Sequence, residues 1–96
     1  MKRLLQGFDK AFENKIRLGV MAILMVNDEV DFNTLKELLH ATDGNLASHL
    51  KQLEKNDYVS FTKTFQDRKP LTQYRATDAG RKAFQRHLTA LESLLK

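Results

Sequence analysis

A four-residue break between two leucine-striped segments is the feature that most restricts how this chain folds. Residues 34–40 and 44–56 both repeat leucine at helical spacing, and the break covers residues 41–44, so that Gly44 ends the break and begins the second segment. Within the break, Thr42 is suited to cap a helix and Asp43 to occupy its first turn. The leucines are Leu35, Leu38 and Leu39 before the break, and Leu46, Leu50 and Leu53 after it. Two short helices joined this closely predict a helix–turn–helix, with the leucines buried.

The segments before the break predict one buried helix and a short strand. Asn14 can cap a helix over residues 15–26 that is apolar on nearly every side, which is typical of a helix surrounded by other elements. Residues 30–32 alternate in polarity and predict a short strand. Either Asn33 or Thr34 then caps the next helix.

After the break, the pattern changes to a hairpin and then to a long helix. Residues 58–65 alternate with period two, residues 66–70 predict a polar turn longer than two residues, and residues 71–76 return as a strand. Thr77 caps a final helix that runs to about Leu95. This order predicts a mostly helical α+β fold, a winged helix–turn–helix with a C-terminal β-hairpin wing followed by a long terminal helix.

Composition limits the classes of function. Residues 1–96 are enough for one domain, and the absence of cysteine excludes disulfides, cysteine-ligated zinc and thiol catalysis. The three histidines lack metal-ligand spacing, and no residue pattern indicates a catalytic centre, so we expect no metal, no cofactor and no enzymatic activity. Neither a secretory signal nor a membrane-spanning run is evident, which predicts a cytoplasmic protein that does not contact membranes. The net charge of +4 favours a polyanionic partner.

The polar face of the helix after the break is a candidate for reading DNA bases. Its side chains carry amide, hydroxyl and imidazole groups, which form hydrogen bonds with base edges, while its first amides and a lysine suit phosphate. The candidate DNA contacts here are Thr42, Gly44, Asn45, Ser48, His49, Lys51 and Gln52. The alternative is an ordinary solvent-facing helix side, since residues 42–56 carry no net charge.

The hairpin is the most basic part of the chain per residue. Residues 59–76 contain four basic residues against one acidic residue. The basic residues are Lys63, Arg68, Lys69 and Arg75. A basic tip over residues 67–70, stiffened by Pro70, is suited to lie along phosphates or to enter a minor groove. The alternative is a solvated turn without a partner.

Two stretches resemble the small winged-helix transcriptional regulators of the MarR/ArsR/PadR-like superfamily. They are TDGNLASHLKQLEK at 42–55 and RKPLTQYRATDAGR at 68–81, and the resemblance covers roughly residues 14–95. It implies that the third helix enters the major groove, that the hairpin is the wing, and that terminal helices pair two subunits. It assigns base contacts to Thr42, Asn45, Ser48 and His49, and backbone contacts to Lys51, Lys63, Arg68, Lys69 and Arg75. Metal-sensing members use cysteines that this chain lacks, and larger members add helices around an effector pocket, so no effector is implied.

Apolar residues at both termini exceed what one small core needs. They are Leu4, Leu5, Phe8 and Phe12 near the start, and Phe84, Leu88, Leu91 and Leu95 in the last helix. We expect a two-fold homodimer built from residues 1–13 and 77–96. The alternative is that the two ends pack on each other within one chain.

The sequence therefore predicts a sequence-specific regulator of transcription that binds double-stranded DNA, with repression as its expected mode. The rival hypothesis is a winged-helix module that binds proteins and not DNA. An enzyme is a third hypothesis, without support from any motif.

Overall fold

The computed structural model describes residues 5–96, and over this range it places four α-helices and three strands in the predicted order. The elements are α1 (Lys15–Met25), β1 (Val30–Asp31), α2 (Phe32–Leu39), α3 (Asp43–Lys55), β2 (Val59–Gln66), β3 (Lys69–Ala76) and α4 (Asp78–Leu94). A short 3-10 helix, Lys10–Phe12, precedes α1. The strands form one antiparallel sheet in the order β1–β3–β2. The predicted α+β winged helix, with its hairpin and terminal helix, is confirmed.

Three of the helices begin at the predicted capping residues. The side chains of Asn14, Thr42 and Thr77 accept backbone N–H groups from the first turns of α1, α3 and α4. Each cap satisfies a donor that has no partner inside the helix, which fixes where the helix starts. These local signals explain why the predicted starts are correct.

The start of α2 differs from the prediction. Asp31, and neither Asn33 nor Thr34, caps the helix, so β1 runs directly into α2. One oxygen of Asp31 accepts the Thr34 N–H at 3.2 Å, and the other accepts the Thr34 hydroxyl at 2.6 Å. The hydroxyl of Thr34 is the main reason why the pKa of Asp31 is lowered.

The wing hairpin has a shorter turn than predicted. Only Asp67 and Arg68 connect the two strands, and Gln66 pairs with Lys69. Both turn residues have positive φ, 53° and 67°, as two-residue hairpin turns require. Pro70 lies in β3 opposite Phe65 and not in the turn. A proline is tolerated there because β1 pairs only with Gln73 and Tyr74, which leaves one side of β3 free near the tip.

The core lies between the four helices and the base of the sheet. Seven side chains are fully buried: Val20, Met21, Leu24, Leu35, Leu46, Leu50 and Leu53. The predicted stripe of α3 is thus confirmed, whereas Leu38 of α2 was expected inside and is 58% exposed. Within the described range, no helix has both the length and the apolar content needed to cross a membrane.

Candidate nucleic-acid interface

The exposed face of α3 has a different neighbour on each side: the first flank is formed by α1 and the segment before it, and the second flank by the wing. At about 100° per residue, Ser48 and Lys51 lie opposite the buried leucines. His49 and Gln52 lie toward the segment before α1, and Ala47 lies toward the wing. The predicted helix positions therefore share one side of the molecule. All of them are exposed except His49, which is half-buried.

On the first flank, Arg17 of α1 contacts α3. Its Nη1 lies 3.0 Å from Nδ1 of His49, and its Nε donates to the Ala11 carbonyl at 2.7 Å. These groups border an open polar cleft of about 640 Å³ beside α3, which Ser48 and Gln52 also line. Arg17 is not evident as a site residue from the sequence, because a single arginine in an apolar helix gives no charge signal and its partner is 32 residues away.

The Arg17 contact fixes the chemical state of His49. A guanidinium can only donate, so Nδ1 of His49 must accept and the ring proton is on Nε2. Burial of the ring and then the charge of Arg17 lower the pKa of His49. His49 is therefore neutral at pH 7, with a single N–H donor on Nε2.

We expect Arg17→Met to raise the pKa of His49 toward its ordinary value of 6.5, because it removes a neighbouring positive charge. A pKa lowered in the folded state means that the unfolded chain binds more protons just below pH 6.5. The contribution of neutral His49 to the free energy of unfolding is therefore fully present above pH 6.5 and is lost as the pH falls through the pKa of His49 in the folded state. NMR titration of the ring protons measures the shift. Lys15→Met, at an exposed position of α1, is the matched control, and an equal pKa in the wild type and Arg17→Met would contradict the assignment.

On the second flank, one face of the wing faces α3. In an antiparallel sheet, paired residues share a face and alternate along the strand. The row Phe61, Lys63 and Phe65 is paired with Tyr74, Thr72 and Pro70. Part of this face forms a groove of about 330 Å³ with Ala47, Lys51 and Glu54 of α3. We call the side of the hairpin that carries this row the inner face of the wing.

Arg75 lies on the opposite, outer face of the wing. It pairs with Ser60, and its guanidinium donates to Glu29 at 2.6 Å. The Glu29 hydrogen bond and charge raise the pKa of Arg75 further above its usual range. The structure therefore does not bring Arg75 together with Lys63, and the Glu29 partner reduces its availability to phosphate.

The wing tip exposes two basic side chains, Arg68 and Lys69. Arg68 has a φ of 67°, a left-handed conformation that glycine adopts far more cheaply than arginine. Lys63 lies nearer the base of the wing, with its ammonium 5.7 Å from the ring centre of Phe61. Of these three cations, Lys63 lies on the inner face, Arg68 lies in the turn, and Lys69, which pairs with Gln66, lies at the tip on the outer face.

The predicted dimer residues divide into buried and exposed sets. Phe12 and Phe84 are 2% and 4% exposed and meet edge to face in the chain's own core, so they have no surface for a partner. Phe8 packs against the His87 ring, and Leu88 is partly buried. Leu5, Leu91 and Leu95 are exposed, and Leu4 lies outside the described residues. The inner side of the terminal segments therefore packs within one chain, and the exposed leucines stay as candidates for a dimer.

Comparisons with known proteins agree with the winged-helix fold. A family model described as a winged helix DNA-binding domain matches residues 16–95. An uncharacterized protein of Methanocaldococcus jannaschii is 36% identical over 87 residues, which is 91% of this chain and 95% of that protein.

Solved structures show the same fold. A transcriptional regulator homologue from Pyrococcus horikoshii OT3 superposes with a TM-score of 0.86 at 32% identity, over 98% of this chain and 91% of that chain. A MarR-family transcriptional regulator from Silicibacter pomeroyi gives a TM-score of 0.69 at 18% identity, over 96% of this chain and 61% of that chain, and this likeness shows the fold alone.

Proposed function

The chain belongs to the family of winged helix DNA-binding domains, and we propose that it is a sequence-specific DNA-binding regulator of transcription that acts as a homodimer and represses its targets. One observation carries the proposal: the exposed polar face of α3 lies beside the inner face of the wing, which carries Lys63, and the wing ends in an exposed tip with Arg68 and Lys69. This places groups that suit base edges beside groups that suit phosphates.

In this proposal, α3 enters the major groove. Within residues 5–96, no protein hydrogen bond occupies the side chains of Asn45, Ser48 or Gln52, so their polar groups are available to base edges. His49 adds a single Nε2–H donor in a fixed orientation. At Gly44, an added Cβ would meet no atom of residues 5–96 within 4 Å beyond its chain neighbours and the backbone of its own helix, so this glycine leaves room for close approach of a DNA backbone.

The wing supplies the phosphate contacts through Lys63, Arg68 and Lys69, with Lys51 adding one from α3. The left-handed conformation of Arg68 supports this role. In this left-handed conformation a residue with a side chain is about 1 kcal/mol less stable than glycine. Backbone strain of this kind is concentrated at functional positions. Position 68 therefore carries a cation although the backbone conformation of the turn favours glycine.

The exposed leucines of the termini suit a two-fold interface. Leu5, Leu91 and Leu95 are 66%, 44% and 82% exposed, and Leu94 adds to the same helix end. A dimer formed through residues 1–13 and 77–96 would set two α3 helices about 34 Å apart. The preferred DNA site would then be a near-palindrome with half-sites one helical turn apart.

Asn45→Ala is expected to weaken binding selectively. It should cost about 1–3 kcal/mol on the preferred duplex and remove the preference at one base pair, because a bidentate amide contact is lost. Titration of the preferred duplex, its single-base variants and a random duplex measures this effect. Lys51→Ala is the control, since a lost phosphate contact weakens binding equally on all sequences. An equal loss for Asn45→Ala on all duplexes would refute base reading by this residue.

Selection of bound fragments from random duplex DNA tests the proposed function. We expect an enriched two-fold symmetric motif, and an affinity that falls steeply as salt rises. Absence of any salt-dependent duplex binding would refute the proposal and favour the rival, a module whose α3 face and wing bind a protein.

A further inference from the structure

We propose that the wing contacts DNA through an apolar side chain as well as through its charges: the ring of Phe65 enters the minor groove and packs against the sugars and base edges there. This inference rests on the proposed function and adds a contact that no basic residue provides. The observation behind it is an aromatic ring displayed at the outer end of a basic hairpin.

Phe65 is unusually exposed for its type. It is 78% exposed, and Phe61, on the same face, is 45% exposed. Its cross-strand partner is Pro70, so two apolar side chains meet one pair away from the Gln66–Lys69 pair that closes the turn. Phe61, in contrast, is held by the ring of Tyr74 at 6.0 Å and by Lys63. Within the described residues, Phe65 has no aromatic partner of this kind.

The register shows which way this ring faces. Phe61, Lys63 and Phe65 alternate along β2 on the inner face, whose base forms the groove with Ala47 and Lys51 of α3. Phe65 thus continues the surface that already includes the base-reading helix. Thr64, by alternation, lies on the outer face with Arg75 and Leu71.

The charges around the ring select DNA as its occupant. Lys63 lies two pairs toward the base of the wing on the same face, and Arg68 and Lys69 lie at the tip, against a single acidic residue, Asp67. An apolar ring framed by cations matches a minor groove, whose apolar sugar walls lie between two rows of phosphates. Apolar side chains are known to enter this groove as wedges between base steps.

An apolar contact leaves a distinct signature in the salt dependence of binding. Burying the ring gains free energy by removing apolar surface from water and displaces no counterion. Removing the ring should therefore lower affinity at every salt concentration by the same factor. Removing a cation should instead change the slope of affinity against salt.

The test measures affinity against salt for Phe65→Ala on the duplex recovered by selection. We expect binding about 10- to 100-fold weaker with an unchanged salt slope, from the burial of one aromatic side chain. Arg68→Gly should reduce the slope by about 0.9. Thr64→Ala, the neighbour on the outer face, should bind like the wild type. Phe65→Leu should retain most of the affinity, and Phe65→Ala should keep the wild-type melting temperature, because the ring is exposed.

Three results would overturn the inference while leaving the proposed function intact. The first is wild-type affinity in Phe65→Ala, and the second is a reduced salt slope in that variant. The third is a change of oligomeric state in Phe65→Ala by sedimentation, which would assign the ring to a contact between chains. If the wild type itself fails to bind duplex DNA, the proposed function and this inference both fail.

Discussion

Gly80→Ala is expected to destabilise the fold by about 3 kcal/mol or more, because the added Cβ would overlap the backbone of Tyr58, which, unlike a flexible side chain, cannot adopt another rotamer to make room. Gly80 lies in the first turn of α4, and an ideal Cβ there would be 2.1 Å from the carbonyl oxygen of Tyr58. The same oxygen accepts the Thr77 N–H at 3.0 Å, and the Thr77 hydroxyl donates to the Asp57 carbonyl at 2.6 Å. Relieving the overlap would require α4 to move away from the junction of α3 and β2, with loss of these bonds.

Urea unfolding monitored by circular dichroism measures the change in the free energy of unfolding. Gly44→Ala is the matched control, since a Cβ at that position of α3 meets no described atom within 4 Å outside its own helical backbone and chain neighbours. That substitution should leave stability unchanged or raise it by up to about 1 kcal/mol, as alanine favours helix. If both substitutions change stability by the same amount, the close packing of α4 on Tyr58 is not what requires glycine at position 80.

The parts of the fold that the sequence predicts are those specified locally. Asn14, Thr42 and Thr77 are within three residues of the groups they cap. The leucines of α3 repeat at helical spacing and are all buried. In such segments the periodicity and the cap agree, so the helix and its buried face follow from the same few residues.

The errors occur where local signals compete. Asn33 and Thr34 are good capping residues, but Asp31 caps α2 because its carboxylate accepts two hydrogen bonds from Thr34. The wing turn contains no glycine, and Asp67 and Arg68 adopt positive φ in spite of their side chains. The sequence therefore indicates a longer loop than the structure has, and Pro70 strengthens that impression although it belongs to a strand.

In the candidate interface, too, the features specified by nearby residues are predictable and those that depend on distant partners are not. The polar face of α3 is predictable, since it is the complement of the leucine stripe. Arg17 on His49 and Glu29 on Arg75 are not, because these partners are 32 and 46 residues apart and meet only after folding. Likewise, periodicity marks Phe12 and Phe84 as apolar but does not show that they face each other inside one chain.

Removing the three wing cations other than Arg75 is expected to abolish most DNA affinity without loss of stability. In Lys63→Ala/Arg68→Gly/Lys69→Ala, affinity should fall about 100- to 1,000-fold at physiological salt, from the loss of three charge-assisted contacts. The slope of log affinity against log salt should become shallower by about 2.7, because three fewer counterions are released. Stability should hold or rise, since glycine relieves the positive φ of 67° at position 68 and all three side chains are exposed.

A control variant separates contacts from overall charge. Lys15→Ala/Lys82→Ala/Lys96→Ala also removes three exposed lysines, in this case from α1, α4 and the C-terminus. Its net charge equals that of the wing variant, so a loss caused only by weaker long-range attraction would appear in both. We expect the control to keep a salt slope close to that of the wild type. If the two triple variants lose affinity equally, the wing makes no direct phosphate contact, and binding would then depend on α3 and on overall charge alone.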